Sequence, residues 1–440
     1  MDIYMKAIGI DIGTTTISAV VFDDTQERVL KALTIQNGSF IRTEHEWERL
    51  QDVEIIIEKA KNVLDELLKL YPDTGTIGLT GQMHGILYVD DGGKCCSPLY
   101  TWQDQRGNLP EFEGLSLAQW VSQKSGVQVF TGYGTITHLY QQRKGQVPQK
   151  AVSFCTVPDY LGMVITGRKE PLLHISMAAS LGFFDGRKKE FLKEKLEGLG
   201  MDTDMLPEVT DTFSAIGAYQ GRPVTVAIGD NQASFLGAVG VRENTVLLNV
   251  GTGGQVSVVS DRFIEAEGIE ARPLSADKYL LVGSSLCGGR AYAILENFFR
   301  SYGTAAGIED VPQYDIMEKL AGKGMKLQDG MEVTTTFNGT RTNPSLRGSI
   351  HNISKDNFTP EGLIYGVLRG IAEELHDMFQ VMRGYTGIKA DRLIGSGNGV
   401  RKNTVLRHIF EELFEARLFM AKYKEEAACG AAISSCHKEK

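Results

Sequence analysis

Apolar and polar positions along the first two dozen residues predict a β-hairpin. Ala7-Ile8-Gly9-Ile10 reads as one strand, Asp11-Ile12-Gly13-Thr14-Thr15-Thr16 as a polar, glycine-containing turn, and residues 17–23 as the returning strand. The period then changes: Trp47, Leu50, Val53, Ile57, Ala60, Leu64, Leu67 and Tyr71 recur every three or four residues, which predicts an amphipathic helix stopped by Pro72. Residues 76–80 supply the next strand, and residues 100–220 are mixed, with short helices expected near 137–142 and 160–165. An apolar strand over 224–228 enters Gly229-Asp230-Asn231-Gln232 and then a small-residue helix over 233–239, so Asp230 sits at a strand-to-helix junction. Residues 245–261 repeat the opening pattern of strand, Gly251-Thr252-Gly253-Gly254 turn, strand and aspartate. Further helices are expected from about Gly288 to Tyr302, after the Thr359-Pro360 start with Leu363, Val367, Ile371, Leu375 and Met378 on one face, and from about Asn403. Two similar hairpins heading two stretches of similar architecture place a domain boundary near residue 240, giving domains 1–240 and 241–440.

Composition narrows the class. The 440 residues are 42% apolar and 23% charged, enough for two cores, and the net charge of −9 lacks the general attraction to phosphate backbones that nucleic-acid binding needs. Acidic residues interrupt the N-terminal apolar stretches, and no run reaches the length of a membrane span, so neither a signal segment nor a membrane is expected. The six cysteines form no C-x-x-C pair and no zinc spacing, which fits free thiols in a reducing cytoplasm.

Several motifs carry chemistry. The Asp11-x-Gly13-Thr14-Thr15-Thr16 turn offers a glycine, hydroxyl donors and backbone N–H groups to an anion, while Asp11 itself suits phosphate only through an intervening Mg²⁺. The same residues would equally satisfy an ordinary turn, but a second such turn at Gly251-Thr252-Gly253 favours a paired polyphosphate clamp. No G-x-x-x-x-G-K-[ST] occurs, and Gly395-x-Gly397-x-Gly399 has Val400 where a dinucleotide fingerprint needs glycine, though that strand–glycine–helix segment still suits an adenosine. Asp230 fits either a helix cap or a general base in phosphoryl transfer. Gln82-Met83-His84 and Trp102-Gln103-Asp104-Gln105-Arg106 gather amide, imidazole, indole, carboxylate and guanidinium groups, the mixture that binds a polyol.

With these residues in view the chain resembles the FGGY carbohydrate kinases, and among them the sedoheptulokinases, through segments 8–16, 81–85, 102–106, 229–234, 248–254 and 395–403. Trp102-Gln103-Asp104 stands where xylulokinases usually carry Trp-Asn-Asp. The resemblance implies an α/β, two-domain actin/hexokinase-like (ribonuclease H-like) fold, with mixed sheets and helices flanking a deep cleft. It implies ATP and Mg²⁺, with Asp230 as general base and Gln82, Met83, His84, Trp102, Asp104, Arg106 and Asn231 around the sugar. It further implies Asp11 at the metal, Thr14, Thr15 and Thr16 near the γ-phosphate, and Gly251, Thr252, Gly253, Gly288, Gly397, Asn398 and Asn403 at the nucleotide. One departure is Ser18, seven residues after Asp11, where relatives commonly carry Lys or Arg.

The reading is an ATP-dependent kinase of a ketose's terminal hydroxyl, with sedoheptulose favoured, xylulose or another sugar of the family second, and a homodimer allowed for. A sugar- and nucleotide-binding sensor without turnover, motivated by Ser18, and an ATPase acting on protein partners are the rivals.

Overall fold

The computed structural model describes residues 6–110, 114–240, 242–327, 330–340 and 343–437; the first five residues, read above for a signal segment, lie outside them. Two compact units result, Met1–Gly240 with Arg272–Asp277 and Tyr423–Lys440, and Val241–Ala271 with Lys278–Lys422.

In the first unit the predicted hairpin forms from Lys6–Ile12 and Thr16–Asp23, so Asp11 lies in the strand and the turn shrinks to residues 13–15. A third antiparallel strand, Arg28–Gln36, extends it. Thr76–Gly81 runs parallel to Lys6–Ile12 on the other side, and beyond it come Arg222–Thr225 and Ala215–Tyr219. The amphipathic helix is Val53–Leu70, started by the Asp52 carboxylate accepting the Ile55 N–H, and it buries Ile56, Ala60, Leu64 and Leu67. Trp47 and Leu50 precede it, Leu50–Gln51 being a short strand. The strand expected over 224–228 splits into Arg222–Thr225 and Ile228–Gly229, and the following helix starts at Asp230 and ends at Val239.

Residues 423–437, assigned above with the second domain, pack in the first unit. Helix Glu426–Cys436 is alanine-, glycine- and serine-rich, and Ala428, Cys429, Ala432 and Ile433 share a core with Ala7, Val20 and Phe22. Its backbone approaches so closely that a Cβ on Gly9 would sit 1.8 Å from the Ala428 carbonyl oxygen.

The second unit repeats the plan. Thr245–Val250 and Gly254–Ser260 form the second hairpin, Lys278–Ser285 extends it, and Arg392–Ser396 lies parallel to Thr245–Val250 on the other side, followed by Leu418–Met420. The long helix Pro360–Thr386 begins with the Thr359 hydroxyl accepting the Gly362 N–H and buries Ile364, Val367, Ile371 and Leu375 in this unit's own core. Among the described residues no helix is long and apolar enough to cross a membrane.

Candidate active site

Three parallel strands end side by side in the first unit. Asp11 pairs in register with Thr80, and Gly229 with Gly81, so the chain exits from Lys6–Ile12, Thr76–Gly81 and Ile228–Gly229 at one sheet edge, where open α/β sheets place ligands. Those exits carry Asp11, Gln82-Met83-His84 and Asp230, which with Gly13, Thr14 and Trp102 line a cavity of about 320 Å³.

Burial governs the two acids. Burial first, and the Asp230 charge second, push the Asp11 carboxyl up to about 7. Asp230 rises to about 6 through burial, held back by the Asn231 backbone N–H and the Arg272 guanidinium. Asp230 occupies the first position of its helix with Gly229 as the cap residue, so its carboxylate is not spent as an N-cap. Gly229 packs against the ends of two side chains, where a Cβ would meet Gln232 Oε1 at 2.5 Å and Met83 Cε at 2.7 Å and oblige them to shift.

The turn is tied from behind. Asn37 Nδ2 donates to the Gly13 carbonyl at 2.8 Å, Gln51 Nε2 to Thr14 O at 2.8 Å and the Asn37 backbone N–H to Thr15 O at 2.8 Å. Gln82 lines the cavity, yet its amide is engaged, donating to Gln51 Oε1 at 2.9 Å and accepting from Thr14 Oγ1 at 3.4 Å. Trp102, 46% exposed, donates from Nε1 to Thr14 Oγ1 at 3.0 Å. Thr15, Thr16 and Asn231 stand next to these groups in sequence but outside the cavity lining, and Asn231 Oδ1 is buried without a hydrogen-bond partner.

His84 is held in the left-handed region at φ 71°, its ring stacked on Tyr133 at 4.8 Å and 5°. Its Nδ1 lies 2.6 Å from the Ser180 carbonyl oxygen. A carbonyl only accepts, so Nδ1 carries a proton, and when the ring is neutral Nε2 is its acceptor nitrogen.

Asp104 and Arg106, expected around the sugar, are not brought to this cavity. Both are buried and spent on each other, with Arg106 Nε 2.6 Å from Asp104 Oδ1 and Nη2 3.1 Å from Oδ2, while the Arg49 N–H also donates to Oδ2. The guanidinium lies 4.3 Å from the Tyr100 ring centroid and donates to Gln141 Oε1 at 2.7 Å. This pair pins the Trp102 loop from behind. Composition alone cannot distinguish a satisfied buried ion pair from a ligand site. Tyr133, Gln51, Ser176, Ser180 and Arg272 were missed, because no local motif marks a residue that reaches the site through tertiary contact.

The second unit has its own cavity, of about 900 Å³, at the equivalent sheet edge. Gly251 and Thr252 of the hairpin turn, Arg290 and Tyr292 of helix Gly288–Ala305, and Asn398 and Lys402 after strand Arg392–Ser396 all line it. The helix start is clipped to the turn: the Gly289 N–H donates to Gly251 O and the Arg290 N–H to Thr252 O, each at 2.9 Å. Gly288 lies against Gly253, where a Cβ would come within 2.4 Å of backbone. Gly397, at φ 80°, likewise admits no Cβ, which would meet Val250 O at 2.5 Å, whereas a Cβ on Gly251 would enter open space. Asn403 lines the cavity and spends its Oδ1 capping helix Thr404–Phe414 on the Leu406 N–H at 2.9 Å. Arg290 and Lys402, a tyrosine face and a glycine-rich turn form a donor set of the kind a nucleoside polyphosphate requires, with Asp315 and Glu318 also in the lining.

Comparisons with known proteins cover both halves of the chain. The model of the FGGY family of carbohydrate kinases, N-terminal domain, matches residues 6–238 and that of its C-terminal domain residues 246–438. The chain is 27% identical to the sedoheptulokinase of Mus musculus, over 97% of this chain and 96% of that protein, and 22% identical to the gluconokinase of Bacillus subtilis, over 97% and 86%. Its fold matches the crystal structure of xylulose kinase from Rhodospirillum rubrum with a TM-score of 0.79 at 20% identity, covering 98% and 89% of the two chains. Plasmodium falciparum glycerol kinase with ADP matches at 0.77 and 17%, again covering 98% and 89%. The chain therefore belongs to the FGGY family of carbohydrate kinases, has their two-domain actin/hexokinase-like fold, and is an ATP-dependent phosphotransferase acting on a sugar.

Proposed function

We propose that this kinase phosphorylates the terminal primary hydroxyl of a ketose, with sedoheptulose preferred over D-xylulose. One observation carries the reading: Asp230, raised to about 6 by burial, shares a polar cavity with His84 and Trp102, so a base matched to neutral pH stands beside groups that bind hydroxyls and a carbon face. Asp230 takes the proton of the attacking hydroxyl, the His84 Nε2 accepts a hydrogen bond from a second hydroxyl, and the Trp102 indole covers the apolar side of the chain. Positioning and charge neutralisation supply the rest of the acceleration. Similarity to sedoheptulokinases over nearly the whole chain supports the longer acceptor.

The first-unit cavity also suits Mg²⁺. Among the described residues no group of three or more His, Cys, Asp or Glu forms a cage, and Mg²⁺ is usually held by one or two carboxylates plus phosphates and water, the donor set that Asp11 and the threonine turn present. Bound there, the ion would neutralise charge on the transferring phosphoryl group. Ser18, the departure from the family pattern, lies opposite Asp11 in the hairpin and hydrogen-bonds Thr34 at 3.0 Å. In the second unit Arg290 and Lys402 contribute cations to the nucleotide phosphates.

An ATP-coupled assay across ketoses and polyols tests this. Sedoheptulose is expected to exceed D-xylulose in kcat/KM by at least about tenfold, with glycerol and gluconate essentially inert, since a site built to bond each hydroxyl rejects analogues lacking one. Asp230→Asn should lower kcat by roughly 10²–10⁴ while sugar and ATP still bind. Preference for xylulose would discard the sedoheptulose assignment, and a kcat loss under tenfold would remove Asp230 as the base.

A further inference from the structure

We propose that Ser176 and Ser180, the two buried serines of the short helix Ile175–Ser180, are positioning residues for phosphoryl transfer, one serving the Asp230 arm of the site and the other the His84 arm. The proposal rests on the roles given above to Asp230 and His84.

The helix touches both arms through hydrogen bonds. At its start the Ser176 hydroxyl, 1% exposed, accepts the Gly229 N–H at 2.9 Å, and Gly229 is the residue immediately before the base. The Ser176 hydroxyl proton is directed by His174. Its Nδ1 receives the Ser176 backbone N–H at 3.3 Å and is therefore an acceptor, so the Ser176 hydroxyl, 2.7 Å from the same nitrogen, donates to it and keeps its lone pairs for Gly229. His174 is fully buried and stacked on Phe213 at 5.2 Å, which locks the imidazole end of the relay.

At the other end of the helix Ser180 makes two bonds to His84. Its hydroxyl donates to Met177 O at 2.7 Å and accepts the His84 N–H at 3.1 Å, while its carbonyl takes the His84 Nδ1 proton. His84 needs such support, because a non-glycine residue at φ 71° stores strain that persists only where the surroundings over-determine it. With the backbone N–H, Nδ1 and the ring face each engaged, His84 has one pose, and that pose sets where its acceptor nitrogen stands. Five residues of one helix thus fix the spacing between the base and the hydroxyl-binding imidazole, which is how a site gains precision from rigid elements.

The two serines predict different kinetic signatures, which a merely structural helix would not produce. Ser176→Ala should act mainly on kcat, lowering it about tenfold with sugar KM within about threefold. Ser180→Ala should lower kcat/KM chiefly by raising sugar KM about tenfold. Double variants sharpen the test: Ser176→Ala should add little to Asp230→Asn, and Ser180→Ala little to His84→Ala, because each serine acts through its partner. Should an alanine variant fail to fold, Ser→Cys at the same position fills the site with a slightly larger group and a weaker acceptor and carries the same expectation. Identical changes in both variants, full additivity in the double variants, or lowered Tm with kinetics unmoved would each overturn the proposal. If Asp230→Asn and His84→Ala are themselves without effect, the reading of the site falls with it; if they act and the serine variants do not, only the role of this helix falls.

Discussion

Two carboxylates share the small cavity of the first unit, and their ionisation is coupled to folding. In the unfolded chain an aspartate titrates near 3.9, whereas burial lifts Asp11 to about 7 and Asp230 to about 6. Between about pH 4 and 7 the folded protein therefore holds protons on these groups that the unfolded chain has lost, and their contribution to stability falls as pH rises. Asp159, fully buried and lifted to about 7, adds in the same direction. His138, lowered by burial to about 4, and His174, lowered to about 3, oppose it below the ordinary histidine range. The informative quantity is consequently the difference between a variant and the wild type. Asp11→Asn removes one titrating group at nearly constant shape, so it should raise the Tm of the ligand-free protein by on the order of a few degrees at pH 8, with the gain shrinking to nothing near pH 4. Thermal melts over that range check it. A gain independent of pH would mean that Asp11 is not charged and desolvated in the free protein.

The element that decides how the acids are held is the helix Glu426–Cys436. It lies against the strand bearing Asp11 and the helix beginning at Asp230, with glycines at the crossing points: a Cβ on Gly430 would sit 1.7 Å from the Ala233 carbonyl oxygen. Gly430→Ala should therefore cost about 1–3 kcal/mol or more and, by shifting the Asp230 helix, reduce kcat severalfold. Gly384→Ala is the control. It sits in the helix Pro360–Thr386 with nothing within 4 Å of a new Cβ, so it should be neutral or stabilising by up to about 1 kcal/mol. Urea titrations of the two variants separate the cases, and equal costs would refute the close-packing argument. The same helix shows where sequence reading stops. Both hairpins, the Asp230 junction and the Thr359 cap were legible because alternation, glycine-containing turns and capping residues are local signals. Helix 426–436 is buried nearly all round, so it has no polar stripe to give its period away, and nothing local says that it returns to the first unit. That Asp104 and Arg106 pair with each other outside the cavity lining was not legible for a related reason: their partners Tyr100, Gln141 and Arg49 are brought to them only by folding.

At the scale of the whole chain, the plan of one hairpin plus one parallel strand occurs twice, and each copy opens a cavity at the same edge of its sheet. The copies have diverged in chemistry. The first, about 320 Å³, is lined by two acids, an imidazole and an indole but, among the described residues, no cation; the second, about 900 Å³, by Arg290 and Lys402 as well as Asp315 and Glu318, by two tyrosines and by the glycine-rich turn. A nucleoside diphosphate, dianionic or more at neutral pH, is repelled by the first set, which offers no cation, whereas the second offers Arg290 and Lys402 to its phosphates; a neutral polyol needs the hydrogen-bonding density of the first. Ligands stabilise the segments they contact by mass action, and amide hydrogen exchange reads that stabilisation segment by segment. ADP alone should slow exchange at 250–254, 288–293 and 397–403. The ketose alone should slow it at 82–85, 101–104 and 229–232, and also at 175–181 if the helix carrying Ser176 and Ser180 supports the site. The experiment needs no turnover, so it reports on binding even for Asp230→Asn. Protection by ADP confined to the first-unit segments, or by the ketose confined to the second, would reverse the assignment of the two cavities.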